Sequence, residues 1–212
     1  GFQLYTVREL FTDADGIGTT IKKIKECGYN GVQLYGSFDE MKKIGMTAKC
    51  MGMEILGSTG SFDEYEEKPE ETIKLHKTLD AGEIGIGGYF YKNVKDIQEF
   101  IKRANDFADF ASEHGFKFSY HNHSHEFTRY DNGKTAFEML SEGLNENVYF
   151  VLDTYWVQHG GGDIIYWIQK LKNRINILHL KDMKMTSEGQ KFAEVGCGNL
   201  NWERIIKTAE EN

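Results

Sequence analysis

Short apolar runs of strand character recur along this chain, and stretches of helical periodicity fill the gaps between them. The runs are Phe2–Tyr5, Gly31–Leu34, Met53–Gly57, Glu83–Ile86, Lys117–His121, Val148–Asp153 and Ile175–His179. Their starts lie about 29 residues apart, close to the ~30 residues of one unit of an eightfold barrel. Between the runs, Ile97, Phe100, Ile101, Ala104, Phe107, Ala108 and Ala111 follow the i, i+3, i+4, i+7 pattern of an amphipathic helix. The sets Ile17/Ile21/Ile24, Met41/Ile44/Ala48, Ile164/Ile165/Ile168/Leu171 and Trp202/Ile205/Ile206/Ala209 continue the series. Gly28, Gly52 and Gly115 stand where a helix C-cap glycine belongs, just before the next strand.

Alternating strands and helices imply parallel pairing through right-handed crossovers. A doubly wound open sheet is the competitor, and it usually carries a glycine-rich phosphate turn after its first strand. Here Tyr5-Thr6-Val7-Arg8-Glu9 follows instead. The sequence therefore predicts an α/β chain, a (β/α)8 TIM barrel formed as a single domain over residues 1–212. Seven units fill the chain, and the last helical stretch runs into Glu210-Glu211-Asn212 with no eighth strand. A seven-unit barrel would leave open strand edges, so the reading expects a C-terminally truncated barrel whose native chain continues for roughly 25–60 residues.

The charge balance, 33 Asp and Glu against 25 Lys and Arg, argues against a surface built to neutralise phosphates. No nucleic acid is expected as a partner. No run approaches the ~18–20 apolar residues that a membrane-crossing helix needs. Cys27, Cys50 and Cys197 are odd in number, widely spaced and form no CxxC, which reads as reduced thiols in a cytoplasmic protein. Gly1-Phe2-Gln3-Leu4 reads as a strand and not as a leader peptide, although a leader removed before Gly1 stays open.

In such barrels chemistry sits at the C-terminal ends of the strands. The fifth run ends in Tyr120-His121-Asn122-His123-Ser124-His125-Glu126-Phe127. The sixth ends in Asp153-Thr154-Tyr155-Trp156-Val157-Gln158-His159, and the seventh in His179-Leu180-Lys181-Asp182. Five of the seven histidines fall in these stretches, with Glu126 and Asp153. Imidazole plus carboxylate is a ligand set for a divalent ion, and strand ends deliver it on rigid elements. Plainer readings stand beside this one. Asp153 can cap the next turn, His179 can be a core histidine, Trp156 can be packing, and Lys181-Asp182 can be a solvated ion pair. His76 and His114 are assigned no role.

At these residues the chain resembles the xylose-isomerase-like barrel family, often labelled sugar-phosphate isomerase/epimerase. The resemblance is carried by Gln3-Leu4-Tyr5-Thr6-Val7-Arg8, Gly28-Tyr29-Asn30-Gly31-Val32-Gln33, His121-Asn122-His123, Leu152-Asp153-Thr154, His179-Leu180-Lys181-Asp182 and Glu194-Val195-Gly196-Cys197-Gly198. It implies one divalent metal ion (Mn, Zn, Co or Mg) held by Glu, Asp, His and Glu from strands five to eight. Asp153 and His179 match the sixth- and seventh-strand ligands. His121 takes the usual fifth-strand glutamate position, so either Glu126 reaches back to the metal or a histidine replaces it; Glu126 is favoured. The eighth-strand glutamate falls outside the chain.

The implied chemistry is proton abstraction beside a carbonyl, with Glu126, His121 and His123 as catalytic groups and Trp156, Gln158, His159 and Lys181 as substrate contacts. The expected partner is a small, unphosphorylated carbohydrate, and a homo-oligomer is left open. A sugar or cyclitol isomerase or epimerase leads. A lyase or dehydratase acting on a keto-sugar, keto-glycoside or keto-inositol shares the first step and is the alternative. A non-catalytic sugar-binding barrel and an abasic-site endonuclease rank lower; the latter would need more ligands on strands two and three than Gln33, Tyr35 and Ser58 offer.

Overall fold

The computed structural model describes residues 1–212. It divides into two compact units, residues 1–87 with 109–118, and residues 88–108 with 119–212. No helix is long and apolar enough to cross a membrane, and all three cysteines are free thiols.

In the first unit, β1 (Phe2–Gln3), β2 (Gly31–Gln33) and β3 (Glu54–Gly57) pair in parallel in that order. A parallel bridge from Gly60 to Ile86 brings in β4 (Glu83–Ile86). Helices α1 (Ala14–Glu26), α2 (Phe38–Cys50), α3 (Phe62–Glu67) and α4 (Pro69–Leu79) form the crossovers. Each long helix buries one apolar stripe, through Ile17, Ile21 and Ile24 on α1 and Met41, Ile44 and Ala48 on α2. Such burial stabilises by about 1.5–3 kcal/mol per large side chain. Ser37 and Glu40 close a capping box at the start of α2, and Gly28, Gly52 and Gly115 have the positive φ of a helix-ending turn.

The buried His76 is satisfied inside this unit. Its Nδ1 lies 2.7 Å from the Thr72 carbonyl, which only accepts, so that nitrogen carries the proton. Nε2 then accepts from Ser58 Oγ at 2.8 Å. Burial pulls the imidazole pKa down to about 4, leaving a neutral core histidine.

In the second unit, the end of β5 (Lys117–His121) lies beside β6 (Val148–Asp153), which pairs in parallel with β7 (Ile175–His179). The register sets Asp153 directly opposite His179. Helix α5 (Val94–Glu113) precedes β5, and α6 (Ala136–Gly143), α7 (Thr154–His159) and α8 (Ile164–Lys170) link the later strands. Phe137 is the hub of an aromatic core, 4.5 Å from Trp167, 5.2 Å from Phe127 and 5.7 Å from Phe150 between ring centres. The Arg174 guanidinium donates to the carbonyls of Ser141, Leu144, Asn145 and Val148, tying the end of α6 to the start of β6.

Two features depart from the sequence expectation. The first strand stops at Gln3, because Leu4–Leu10 winds into a 3₁₀ turn that buries Leu4. After β7 the chain forms an antiparallel hairpin, β8 (Asp182–Thr186) and β9 (Gly189–Ala193), before α9 (Trp202–Glu210). Met185 and Phe192 are exposed on it, so the hairpin lacks the buried apolar alternation that marks a strand in sequence.

Candidate active site

Strands β5, β6 and β7 each end in a polar residue at the same edge, and the parallel register brings three of those side chains to one point. His121 Nε2 lies 3.3 Å from Asp153 Oδ2 and 3.1 Å from His179 Nδ1, and His179 Nδ1 lies 3.7 Å from the same carboxylate oxygen. Ligands bound at about 2.1 Å in tetrahedral or octahedral geometry stand about 3.0–3.4 Å from one another. The spacing of this trio therefore fits one small divalent cation.

The charge states fit as well. Burial, with the neighbouring His179, pulls the His121 pKa down to about 4, which keeps a neutral imidazole with a lone pair. Burial alone would raise the pKa of Asp153, but contacts from His121, His179 and Lys181 outweigh it and hold the group well below the usual carboxylate range. Asp153 is fully buried and ionised.

Asp153 has two tasks, one per oxygen. Oδ1 accepts the Trp156 N–H at 3.1 Å and caps α7. Oδ2 faces the two imidazoles and, at 3.5 Å, the Lys181 ammonium. The plain capping reading of this residue and the ligand reading describe different atoms of one side chain. Thr154 Oγ accepts the Lys181 N–H at 3.0 Å, and Asn122 Oδ1 accepts the Asp153 N–H at 2.9 Å. These bonds lock the three strand ends together.

Glu126, the favoured fifth-strand ligand in the sequence reading, belongs to a neighbouring group with His123 and His125. One of its oxygens accepts from Tyr120 Oη at 2.7 Å and the other from the His123 N–H at 2.8 Å. Burial raises its pKa despite the nearby His125. His121 stands with Asp153 and His179 instead, because a residue within the strand has fixed reach. Glu126 lies in the 3₁₀ turn His125–Phe127, which folds it back onto Tyr120. Gly88, at φ +94°, makes room for this group: a Cβ there would lie 3.0 Å from His123 Nδ1 and 3.3 Å from Glu126 Oε1.

The other expected residues distribute unevenly. His123 packs against His121 and Trp156, with ring centres 4.7 and 5.4 Å away. Burial lowers its pKa to about 3, helped by His121 and His125, so its ring is neutral. Lys181 lies over the Trp156 ring at 5.4 Å. His159 stacks on Tyr155 and contacts Gln190 Nε2 at 3.1 Å. Gln158 is exposed on α7, and its backbone carbonyl accepts the Gly161 N–H.

Three buried polar atoms here have no hydrogen-bond partner: Asn122 Nδ2, His123 Nδ1 and His159 Nδ1. Such atoms are costly to bury unsatisfied. Asn122 and His123 follow His121 directly, so two of these atoms lie on residues beside the trio and mark where a polar ligand would be received. Asn122, quoted in the sequence only as part of the His121-Asn122-His123 motif, was given no role there, because one Asn in a histidine-rich stretch has no distinguishing pattern.

A family profile described as xylose isomerase-like TIM barrel matches residues 21–212. An inosose dehydratase of Mesomycoplasma hyopneumoniae is 27% identical over 209 aligned residues, covering 88% of this chain and 68% of that protein. The fold is similar to a sugar phosphate isomerase/epimerase from Parabacteroides distasonis, with TM-score 0.79 and 22% identity over 100% of this chain and 82% of that one. It is also similar to the probable 3-DHS dehydratase involved in petrobactin synthesis from Bacillus anthracis, with TM-score 0.73 and 15% identity over 100% and 88%. These likenesses agree with the barrel class expected from the strand–helix period.

Proposed function

The chain belongs to the xylose isomerase-like TIM-barrel family, and from that premise we propose a metal-dependent enzyme that removes the proton next to the carbonyl of a keto-sugar or keto-cyclitol and eliminates the β-hydroxyl. The observation that carries this reading is the convergence of His121 Nε2, Asp153 Oδ2 and His179 Nδ1 within 3.7 Å of one another. These three residues would hold the cation. A divalent ion in that place supplies charge stabilisation to an oxygen that becomes negative as the proton leaves.

The rest is work for the chain's own groups. His123, neutral and with an unpartnered buried nitrogen, takes the α-proton. The C–H electron pair becomes the new C=C bond as the β C–O bond breaks, and a proton from the Lys181 ammonium leaves with the hydroxyl as water. Glu126 is a positioning residue, since its carboxylate accepts from the backbone N–H of His123 and so fixes the chain from which that imidazole projects. The elimination outcome is supported by the sequence similarity to an inosose dehydratase. Return of the proton to carbon would give an epimerase or isomerase, a reading favoured by two proton-carrying groups, His123 and Lys181, beside the trio.

Incubating the metal-supplemented protein in D₂O with inososes and 3-keto-sugars tests this. The expected result is a product lighter by one water in mass spectrometry, with one deuterium at the former β-carbon, taken up as the enol left by elimination becomes a ketone. His123→Asn and Lys181→Met should each slow it by roughly 10²–10⁴-fold. Exchange without loss of water would assign the isomerase or epimerase outcome. Neither loss of water nor exchange at the α-carbon with any of these substrates would overturn the enzymatic reading.

A further inference from the structure

The β8–β9 hairpin adds a residue to this site. Phe192, on β9, has its ring centre 4.1 Å from that of Tyr155 and 5.9 Å from that of Trp156, the latter nearly perpendicular at 89°. Lys181 Nζ lies 5.1 Å from the Phe192 ring centre and 5.4 Å from that of Trp156, so the ammonium stands over both rings. Phe192 is nevertheless 54% exposed, so burial does not hold it in place. Gln190, two residues earlier on the same strand, meets His159 of α7.

The root of the hairpin is fixed by one carboxylate. Asp182 accepts from the N–H groups of Met183, Gly196, Gly198 and Leu200 and from Trp202 Nε1. Burial would raise its pKa, but these donors hold it down. Asn199 binds the hairpin edge in both directions, donating its N–H to the Met183 carbonyl and accepting from Met185 N–H. The position of Phe192 is thus set by a hydrogen-bonded loop and not by its own burial.

We propose that Phe192 is a positioning residue that acts through Lys181: with Trp156 it forms a two-ring cradle that keeps the ammonium beside Asp153 Oδ2 and turned towards the substrate oxygen that must leave. Aromatic faces attract a cation by their quadrupole, and a lysine on a flexible stem needs such a guide to hold one place. The arrangement suits a neutral polyhydroxylated ring, because its departing hydroxyl needs a proton donor at one fixed point. This inference rests on the proposed reaction for its catalytic meaning, but the cradle itself is a geometric claim that holds without it.

Trace labelling of the full chain with acetic anhydride, read peptide by peptide in a mass spectrometer, tests the cradle directly, with the exposed Lys184 as internal reference. In the native protein Lys181 should label several-fold more slowly than Lys184. Phe192→Leu keeps an apolar side chain but has no ring face, and should raise Lys181 labelling at least threefold; Phe192→Tyr should restore it. Phe192→Leu should also lower kcat about tenfold with little change in KM, and Phe192→Tyr should recover it. Equal Lys181 labelling in the native protein and Phe192→Leu would overturn the proposal. Altered labelling in a protein that turns over no keto substrate would uphold the cradle and overturn the proposed reaction instead.

Discussion

Asn in place of Asp153 is expected to abolish turnover by at least about 10³-fold while leaving the fold intact. The reason is the division of labour between the two carboxylate oxygens. Asn caps a helix as well as Asp does, so the Oδ1 bond to the Trp156 N–H survives. Oδ2 becomes an amide nitrogen facing His121, His179 and the Lys181 ammonium, and the proposed cation site loses its only negative group. A loss of about 4 kcal/mol of charge stabilisation corresponds to that thousandfold change. Asp153→Ala should be as inactive and less stable, because it also removes the cap. That difference is about 1 kcal/mol, or roughly 2–4 °C in melting temperature. Steady-state kinetics and thermal melts of the two variants separate the roles; an Asp153→Asn enzyme that keeps a tenth of native turnover would contradict the assignment.

The second large effect concerns Asp182, which the sequence reading left as half of a solvated ion pair. It is fully buried and accepts from five N–H groups. Asp182→Ala leaves those donors without an acceptor, a local cost of about 3–5 kcal/mol. Because the bonds lie in a loop and hairpin, the cost appears as local opening more than global unfolding. Amide exchange at Gly196 and Gly198 should accelerate roughly 10²–10³-fold. Unchanged protection at both glycines would show that the loop is held by something else. Through the hairpin the same variant should also release Lys181, linking the loop to the catalytic groups.

The legibility of this chain follows from where each residue's orientation is decided. Strands β4 to β7 begin and end at the residues expected from sequence, since each is a largely apolar run, buried in β4 to β6 and half-buried in β7, cut off by a turn or a polar residue. That Asp153 and His179 would lie side by side was legible too, because a parallel register carries strand-end side chains to one edge. That Glu126 would stand with His123 and His125 was not legible, because its place depends on the hydrogen bond from Tyr120, a contact that spacing does not reveal. The hairpin escaped because its strands bury little apolar surface and are held by Asp182 and Asn199. Phe192, an exposed aromatic in a polar segment, gave no periodic signal at all.

The central claim is that one cation is held by His121, Asp153 and His179 and not by Glu126. Equilibrium dialysis of the purified protein against Co²⁺, with the visible absorption of the bound ion as reporter, tests it most directly. One ion per chain is predicted, with His121→Phe and His179→Phe both losing it and Glu126→Gln retaining it with an unchanged spectrum. An ion that survives both histidine substitutions, or that is lost with Glu126→Gln alone, would contradict the account.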